Sequence, residues 1–109
     1  MQERIFERWE FRRRQDPRLP SGRQAVHVAE CEAAKHPDGS LNPQGDNRSG
    51  KYHGLFQADR SFSMSHARPA GTVRDAHTLS TEHQTDMAVN GYRDQGRYSW
   101  GPWDPACRP

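Results

Sequence analysis

The chain has few apolar residues and no long apolar segment. Hydrophobic residues make up 31% of its 109 residues, charged residues make up 28%, and the net charge is only +2. Low apolar content is typical of disordered chains, but the small net charge and the supply of aromatic side chains favour a folded protein. No apolar run approaches the ~20 residues of a membrane-spanning helix, so we expect no membrane contact. The length leaves room for one domain.

The sequence lacks the motifs of a signal peptide, of a serine hydrolase and of a zinc site. No apolar h-region follows the basic N-terminus, so we expect no signal peptide. No Gly-x-Ser-x-Gly is present, which leaves a serine hydrolase without support. The histidines are His27, His36, His53, His66, His77 and His83. They do not have the ligand spacing of zinc sites, so the sequence predicts neither a metal nor another cofactor.

Cysteine is scarce, with only Cys31 and Cys107. A disulfide between them would suit an extracellular working place. Two buried free thiols are the alternative, and the sequence leaves both open. A disulfide without a signal peptide is natural for a phage protein that leaves the cell by lysis or inside a virion. We therefore expect an extracellular or virion-associated location.

The N-terminal segment is predicted to be an arm. Residues 2–14 can form a helix, on which Ile5 and Trp9 lie four residues apart on one face. A linker with two prolines follows. Because the apolar face is thin, the sequence predicts a basic arm and linker over residues 1–20 and a domain over residues 21–109.

Arginine is concentrated in this arm, in the run Arg12-Arg13-Arg14 and at positions around it. Such a run could contact nucleic acid, phosphate groups or an acidic partner. A solvated basic face is the alternative that we favour. No base-reading motif accompanies the arginines, so we expect no specific nucleic acid as a partner.

A capping box marks the first helix of the predicted domain. Ser21 can cap the helix, and Gln24 stands at the position that completes the box. The helix is predicted to run through Glu32, which shares an apolar face with Val28, whereas Glu30 points away. Burial at the end of such a stripe disfavours the charged form of a carboxyl group.

The middle and the end of the chain carry turn signals and one more helix start. Residues 38–49 are rich in turn-forming side chains. Residues 51–59 alternate in part and predict a small hairpin strand. Thr81 and Gln84 form a second capping-box pattern, and Gly96 ends the helix that follows or its turn.

An ordered set of motifs resembles the lysozyme-like superfamily. The set consists of Cys31-Glu32, Leu41-Asn42-Pro43, Gly50 to Gln57, Gln84 with Ala88, and Trp100-x-x-Trp103-x-x-x-Cys107. It is most similar to actinobacterial resuscitation-promoting-factor domains and to transglycosylase-like domains of actinobacteriophages, over roughly residues 25–107. The resemblance implies a small α+β fold, mainly α, with a short β-hairpin beside the catalytic helix.

The resemblance also implies a cleft for peptidoglycan glycan strands. The catalytic acid of the family maps onto Glu32, for which a surface salt bridge is the alternative role. The cleft-lining positions map onto Tyr52, Gly54 and Gln57, and His53 lies near enough to contact substrate. For Gln57 a buried structural amide is an equal alternative.

The activity that the resemblance implies is cleavage between N-acetylmuramic acid and N-acetylglucosamine. Glu32 would protonate the glycosidic oxygen and then act as base, either on water or on the muramic 6-hydroxyl. The first route is hydrolysis and the second gives a 1,6-anhydro product. Tyr52 stands where egg-white-type lysozymes have an aspartate, which slightly favours the anhydro route. Asp46 and Asp59 remain candidates for a second carboxylate.

The rival interpretation is a catalytically silent protein of a virion, structural or wall-binding. In that case the segment from Arg4 to Arg18 would be the docking element, on a virion partner or on anionic wall polymers. Digestion of cell walls distinguishes the two interpretations.

Overall fold

The computed structural model describes residues 1–46, 50–96 and 107. Over these residues the chain is mainly helical, as predicted. The helices are α1 (Gln2–Gln15), α2 (Gly22–Glu32), α3 (Arg60–His66) and α4 (Thr81–Gln95), with a 3₁₀ helix at Ala76–Thr78. None of the described helices combines the length and the apolar character that crossing a membrane requires.

The start of α2 follows the predicted capping box. The Ser21 hydroxyl accepts a hydrogen bond from the Gln24 backbone N–H, and the Gln24 side-chain oxygen accepts one from the Ser21 N–H. Helix α4 begins at Thr81, one residue earlier than predicted, because the N-cap is Ser80, whose hydroxyl accepts the hydrogen bond from His83 N–H. Gly96 ends α4 with a φ of 65°.

The region of the predicted hairpin pairs through single bridges. His53 forms isolated antiparallel bridges with Asp46 and with Ala58. Residues 1–46 and 50–96 contain no longer strand. A β-hairpin beside α2 therefore stays a prediction, while the mainly helical architecture is what the structure has.

The N-terminal helix is part of the core. Ile5 and Trp9 are fully buried in the same cluster as Val28 and Val89, since α1 packs against both α2 and α4. The Trp9 indole donates a hydrogen bond to the Pro20 carbonyl at 2.7 Å. Two helices thus cover the thin apolar face of α1, and the boundary between an arm and a domain stays a prediction.

Several arginines of the predicted basic surface form ion pairs within the molecule. Arg4 binds Glu82 at 2.8 Å, and both Arg8 and Arg12 bind Asp86, at 2.7 and 2.9 Å. These contacts join α1 to α4. They leave fewer arginine side chains for the docking role expected of the segment from Arg4 to Arg18, and that role stays a prediction.

Asp86 is expected to link stability to acidity. Burial acts to raise the pKa of this carboxyl, but hydrogen bonds from Arg8 and Arg12 outweigh it and lower the pKa below its ordinary value of 3.8. A carboxyl with a lowered folded-state pKa stabilises the fold above its ordinary pKa, and this contribution is lost as the pH falls through the folded value. Asp86→Asn should cost about 1–3 kcal/mol at pH 7.

The difference between wild type and Asp86→Asn should shrink below pH 3.8, the ordinary pKa of the carboxyl group. Urea unfolding at a series of pH values measures it. Glu7→Gln is the control, since Glu7 is an exposed acid of α1. A constant difference down to acid pH would show that the pairing does not depend on the charge of Asp86.

A disulfide joins Cys31, at the end of α2, to Cys107, with their Cα atoms 5.6 Å apart. The free-thiol alternative therefore does not apply to this structure. The bond closes a separation of 76 residues. The route by which the C-terminal segment was predicted to return, with Trp100 and Trp103, lies outside the described residues.

The protein purified without reductant is expected to carry no alkylatable thiol. Intact-mass measurement after treatment with an alkylating agent, with and without prior reduction, checks this. Reduction should lower the free energy of unfolding by up to about 4 kcal/mol, because the bond restrains a long loop in the unfolded chain. Two labelled thiols in the unreduced protein would contradict the disulfide.

Candidate functional site

Glu32 is the last residue of α2, and one of its carboxyl oxygens is more deeply buried than the residue as a whole. The residue is half-buried, while its Oε1 atom is removed from solvent. Glu30, two residues earlier, is exposed. The two acids therefore differ in environment, as their positions on different sides of the helix predict.

Hydrogen bonds connect the segment after α2 with the predicted cleft-lining loop. The Ala34 carbonyl accepts from the Asn42 N–H at 2.9 Å. Next along this series, the Gly45 carbonyl accepts from the Gly54 N–H at 2.8 Å and from the Gln57 side-chain amide at 3.3 Å. The end of α2, the turn at 42–45 and the loop at 54–57 are thus fastened to each other in sequence.

The side chain of Gln84, on α4, forms hydrogen bonds with the same two loops. Its side chain is fully buried, and its Oε1 accepts a hydrogen bond from the Leu55 N–H at 2.7 Å. Its Nε2 donates to the carbonyls of Pro43 and Leu79, at 2.9 and 3.0 Å. Because both the oxygen and the NH₂ group of the Gln84 side chain are used in these hydrogen bonds, this residue positions the loop rather than contacting substrate.

Gly54 and Gln57 have structural duties in this loop. Gly54 has a φ of 79°, and a Cβ atom there would overlap the Gln84 side-chain oxygen. Close packing alone therefore requires glycine, before any approach of a sugar. The Gln57 side chain donates to the Gly54 carbonyl at 2.8 Å, which matches the structural alternative for its amide group.

The carbonyl oxygen of the Gln57 side chain has a different status. It is buried, and it accepts no hydrogen bond from the residues that the structure describes. Buried acceptors are usually satisfied, so this oxygen is unusual. Gln57 itself has a positive φ of 46°, which is uncommon for a residue other than glycine.

The other two predicted cleft residues differ in exposure. Tyr52 is half-buried, with the Lys51 ammonium 5.3 Å from its ring centre. His53 is only 8% exposed, and its Nδ1 lies 2.6 Å from an Asp46 carboxylate oxygen. His53 is therefore a structural member of the loop as well as a neighbour of the predicted cleft.

Both candidates for a second carboxylate have partners. Asp59 caps α3, since its carboxylate accepts a hydrogen bond from the Phe62 N–H at 2.8 Å. Asp46 lies against His53 and also 3.1 Å from His77 Nδ1. Both carboxylates are therefore already engaged in contacts within the fold.

One cluster of possible metal ligands has no recognisable motif in the sequence. Asp46, His53 and His77 bring one ligand-type atom each into a single group, although they lie 7 and 24 residues apart in sequence. The expectation of no metal site rested on the absence of a familiar spacing. The fold supplies the proximity instead, through the bridge between Asp46 and His53 and the 3₁₀ helix that carries His77.

Comparisons with protein-family models, with curated proteins and with solved structures found no match to this chain.

Proposed function

We propose that this chain is a peptidoglycan-cleaving muramidase of lysozyme-like fold in which Glu32 is the catalytic acid. The observation that supports the proposal most is the setting of Glu32, at the end of a helix with one carboxyl oxygen buried and the residue still half-exposed. Desolvation and the negative end of a helix both disfavour an ionised carboxylate. A general acid needs such a setting together with access for substrate.

In the proposed reaction Glu32 first gives up a proton and then takes up a different one. Glu32 gives its proton to the glycosidic oxygen as the bond from the muramic C1 to that oxygen breaks. The resulting carboxylate then takes a proton from the group that attacks C1, which restores the acid. If water attacks, the result is hydrolysis, and if the muramic 6-hydroxyl attacks, the result is a 1,6-anhydro ring.

The anhydro route is the favoured one. A retaining or inverting hydrolase uses a second carboxylate near the scissile bond. Asp59 caps a helix and Asp46 binds two histidines, so both have other tasks. Intramolecular attack by the 6-hydroxyl requires only the acid that becomes a base.

The walls of the proposed cleft come from the loop at 54–57. Hydrogen bonds to Gly45 and Gln84 fix this loop relative to α2 and α4. Gln57 is half-buried in this loop, and we propose that it lies beside the bound sugar. Tyr52 offers a half-buried aromatic ring beside it in sequence.

The alternative is the silent virion protein that docks through its arginines. The pairing of Arg4, Arg8 and Arg12 with acids of α4 counts against that role, because a docking surface needs charges that are available. The enzyme is therefore the function that we favour.

Digestion of purified actinobacterial cell walls tests the proposal. The protein should release soluble muropeptides, and mass spectrometry should find anhydromuramic ends, which are lighter than reducing ends by one water. Reducing ends alone would favour hydrolysis and contradict the anhydro route. Stable binding to walls without release of muropeptides would contradict the enzyme and favour the silent protein.

A further inference from the structure

We propose that Asp46, His53 and His77 form a binding site for a divalent transition-metal ion of the zinc type. One carboxylate oxygen and two imidazole nitrogens are a donor set that suits zinc. The site goes beyond the proposed cleavage reaction and does not depend on it. No thiolate competes for the ion, because Cys31 and Cys107 form a disulfide.

The three donor atoms form a small triangle. Asp46 Oδ1 lies 2.6 Å from His53 Nδ1 and 3.1 Å from His77 Nδ1, and the two nitrogens lie 3.1 Å apart. Ligand atoms about 2.0–2.1 Å from one zinc ion are separated by roughly 3.3 Å in a tetrahedral site. To hold the ion, the Asp46–His53 side would have to lengthen by about 0.7 Å from 2.6 Å and the other two sides by about 0.2 Å from 3.1 Å.

Hydrogen bonds alone do not satisfy this triangle. Ionised Asp46 can only accept, so both histidine Nδ1 atoms must carry a proton to bind it. The two N–H groups would then face each other across 3.1 Å as donor against donor. In a tautomer that places the hydrogen on Nε2 instead, the Nδ1 lone pair faces the carboxylate. A bound cation removes the conflict, because all three atoms then present lone pairs to it.

The surroundings of His53 fit a metal ligand. Metal-binding histidines usually face a carboxylate or carbonyl with their second nitrogen, which fixes the ring. The Nε2 of His53 faces the Asp75 carboxylate at 3.6 Å, within reach of charge attraction. The side chain of His53 is only 10% exposed, so its ring has little freedom to turn away.

Access and connectivity complete the site. Asp46 is exposed and His77 is half-buried, so an ion can reach the donor atoms from solvent. The ligands come from three separate segments: the turn ending at Asp46, the loop at 50–58 and the 3₁₀ helix at Ala76–Thr78. A bound ion would therefore cross-link segments that isolated bridges hold only weakly, in a protein with a small apolar core.

Titration with zinc alone tests the site. Untagged protein, stripped with a chelator and desalted, should bind one zinc ion per chain in calorimetry, and its melting temperature should rise with zinc concentration. His77→Gln and Asp46→Asn should each weaken binding by more than the ~10- to 100-fold loss typical of a missing outer partner. Asp75→Asn should lose about that smaller amount.

His83→Gln is the matched control, since it removes an exposed histidine at the start of α4 and should bind zinc as the wild type does. Circular dichroism of the zinc-free variants shows whether each is folded, and a folded variant of either ligand suffices. Absence of saturable one-to-one binding in the wild type would overturn the site. Unchanged binding in both ligand variants, or equal loss in His83→Gln, would overturn it as well.

Discussion

Glu32→Gln should lower the rate of peptidoglycan cleavage by at least ~100-fold, the scale of one lost general acid. The amide has nearly the shape of the carboxyl group but has no acidic proton for the glycosidic oxygen. Because binding does not need that proton, wall fragments should still bind. Release of muropeptides over time, measured by chromatography, gives the rate, and co-sedimentation with walls gives the binding.

Glu30→Gln is the matched control for that experiment. It makes the same chemical change two positions away on the same helix, at a residue that is exposed rather than half-buried. It should keep the wild-type rate. The reverse result, normal cleavage by Glu32→Gln and loss in Glu30→Gln, would place the acid on the other side of α2.

A loss of activity in Glu32→Gln must be separated from a loss of fold. The neighbouring Cys31 provides a local check, because a disturbed end of α2 would alter the disulfide to Cys107. An intact bond and an unchanged melting temperature would assign the loss to chemistry. Loss of both would mean that Glu32 acts in the fold, as its structural alternative holds.

The parts of the fold that the sequence predicted well are local ones. The start of α2 depends on Ser21 and Gln24, which lie within one turn of each other and satisfy each other's backbone groups. The start of α4 was displaced by one residue because Ser80 and Thr81 are neighbouring capping residues. The sequence pattern favoured the residue that completes a box, whereas the structure uses the serine before it.

The parts that the sequence predicted poorly depend on distant partners. Ile5 and Trp9 are too few to signal a core helix by periodicity, and their burial arises from α2 and α4, which come later in the chain. His53 and His77 meet across 24 residues without a recognisable motif. Glu32 could be singled out because a resemblance covered it, and no such motif existed for the histidines.

The role of α1 leads to the second large effect. Trp9→Ala should lower the free energy of unfolding by about 3–5 kcal/mol, the range for a large aromatic side chain removed from a core. Trp9 is fully buried, meets the ring of Tyr92 edge-on at 6.5 Å, and donates a hydrogen bond to Pro20. The substitution leaves a cavity where α1 packs against α2 and α4. Urea unfolding with a constant m-value measures the loss of free energy of unfolding.

Phe11→Ala controls for the loss of an aromatic residue from the same helix. Phe11 is 42% exposed, so its removal should change the free energy of unfolding by no more than about 0.5 kcal/mol.

A shortened chain that begins at Ser21 tests the role of the whole helix α1. It lacks both Ile5 and Trp9, and it exposes the faces of α2 and α4 that they cover. We expect this shortened chain not to fold cooperatively. If it keeps a cooperative transition near that of the full chain, and Trp9→Ala costs no more than Phe11→Ala, then residues 1–20 are the separable arm that their composition predicts.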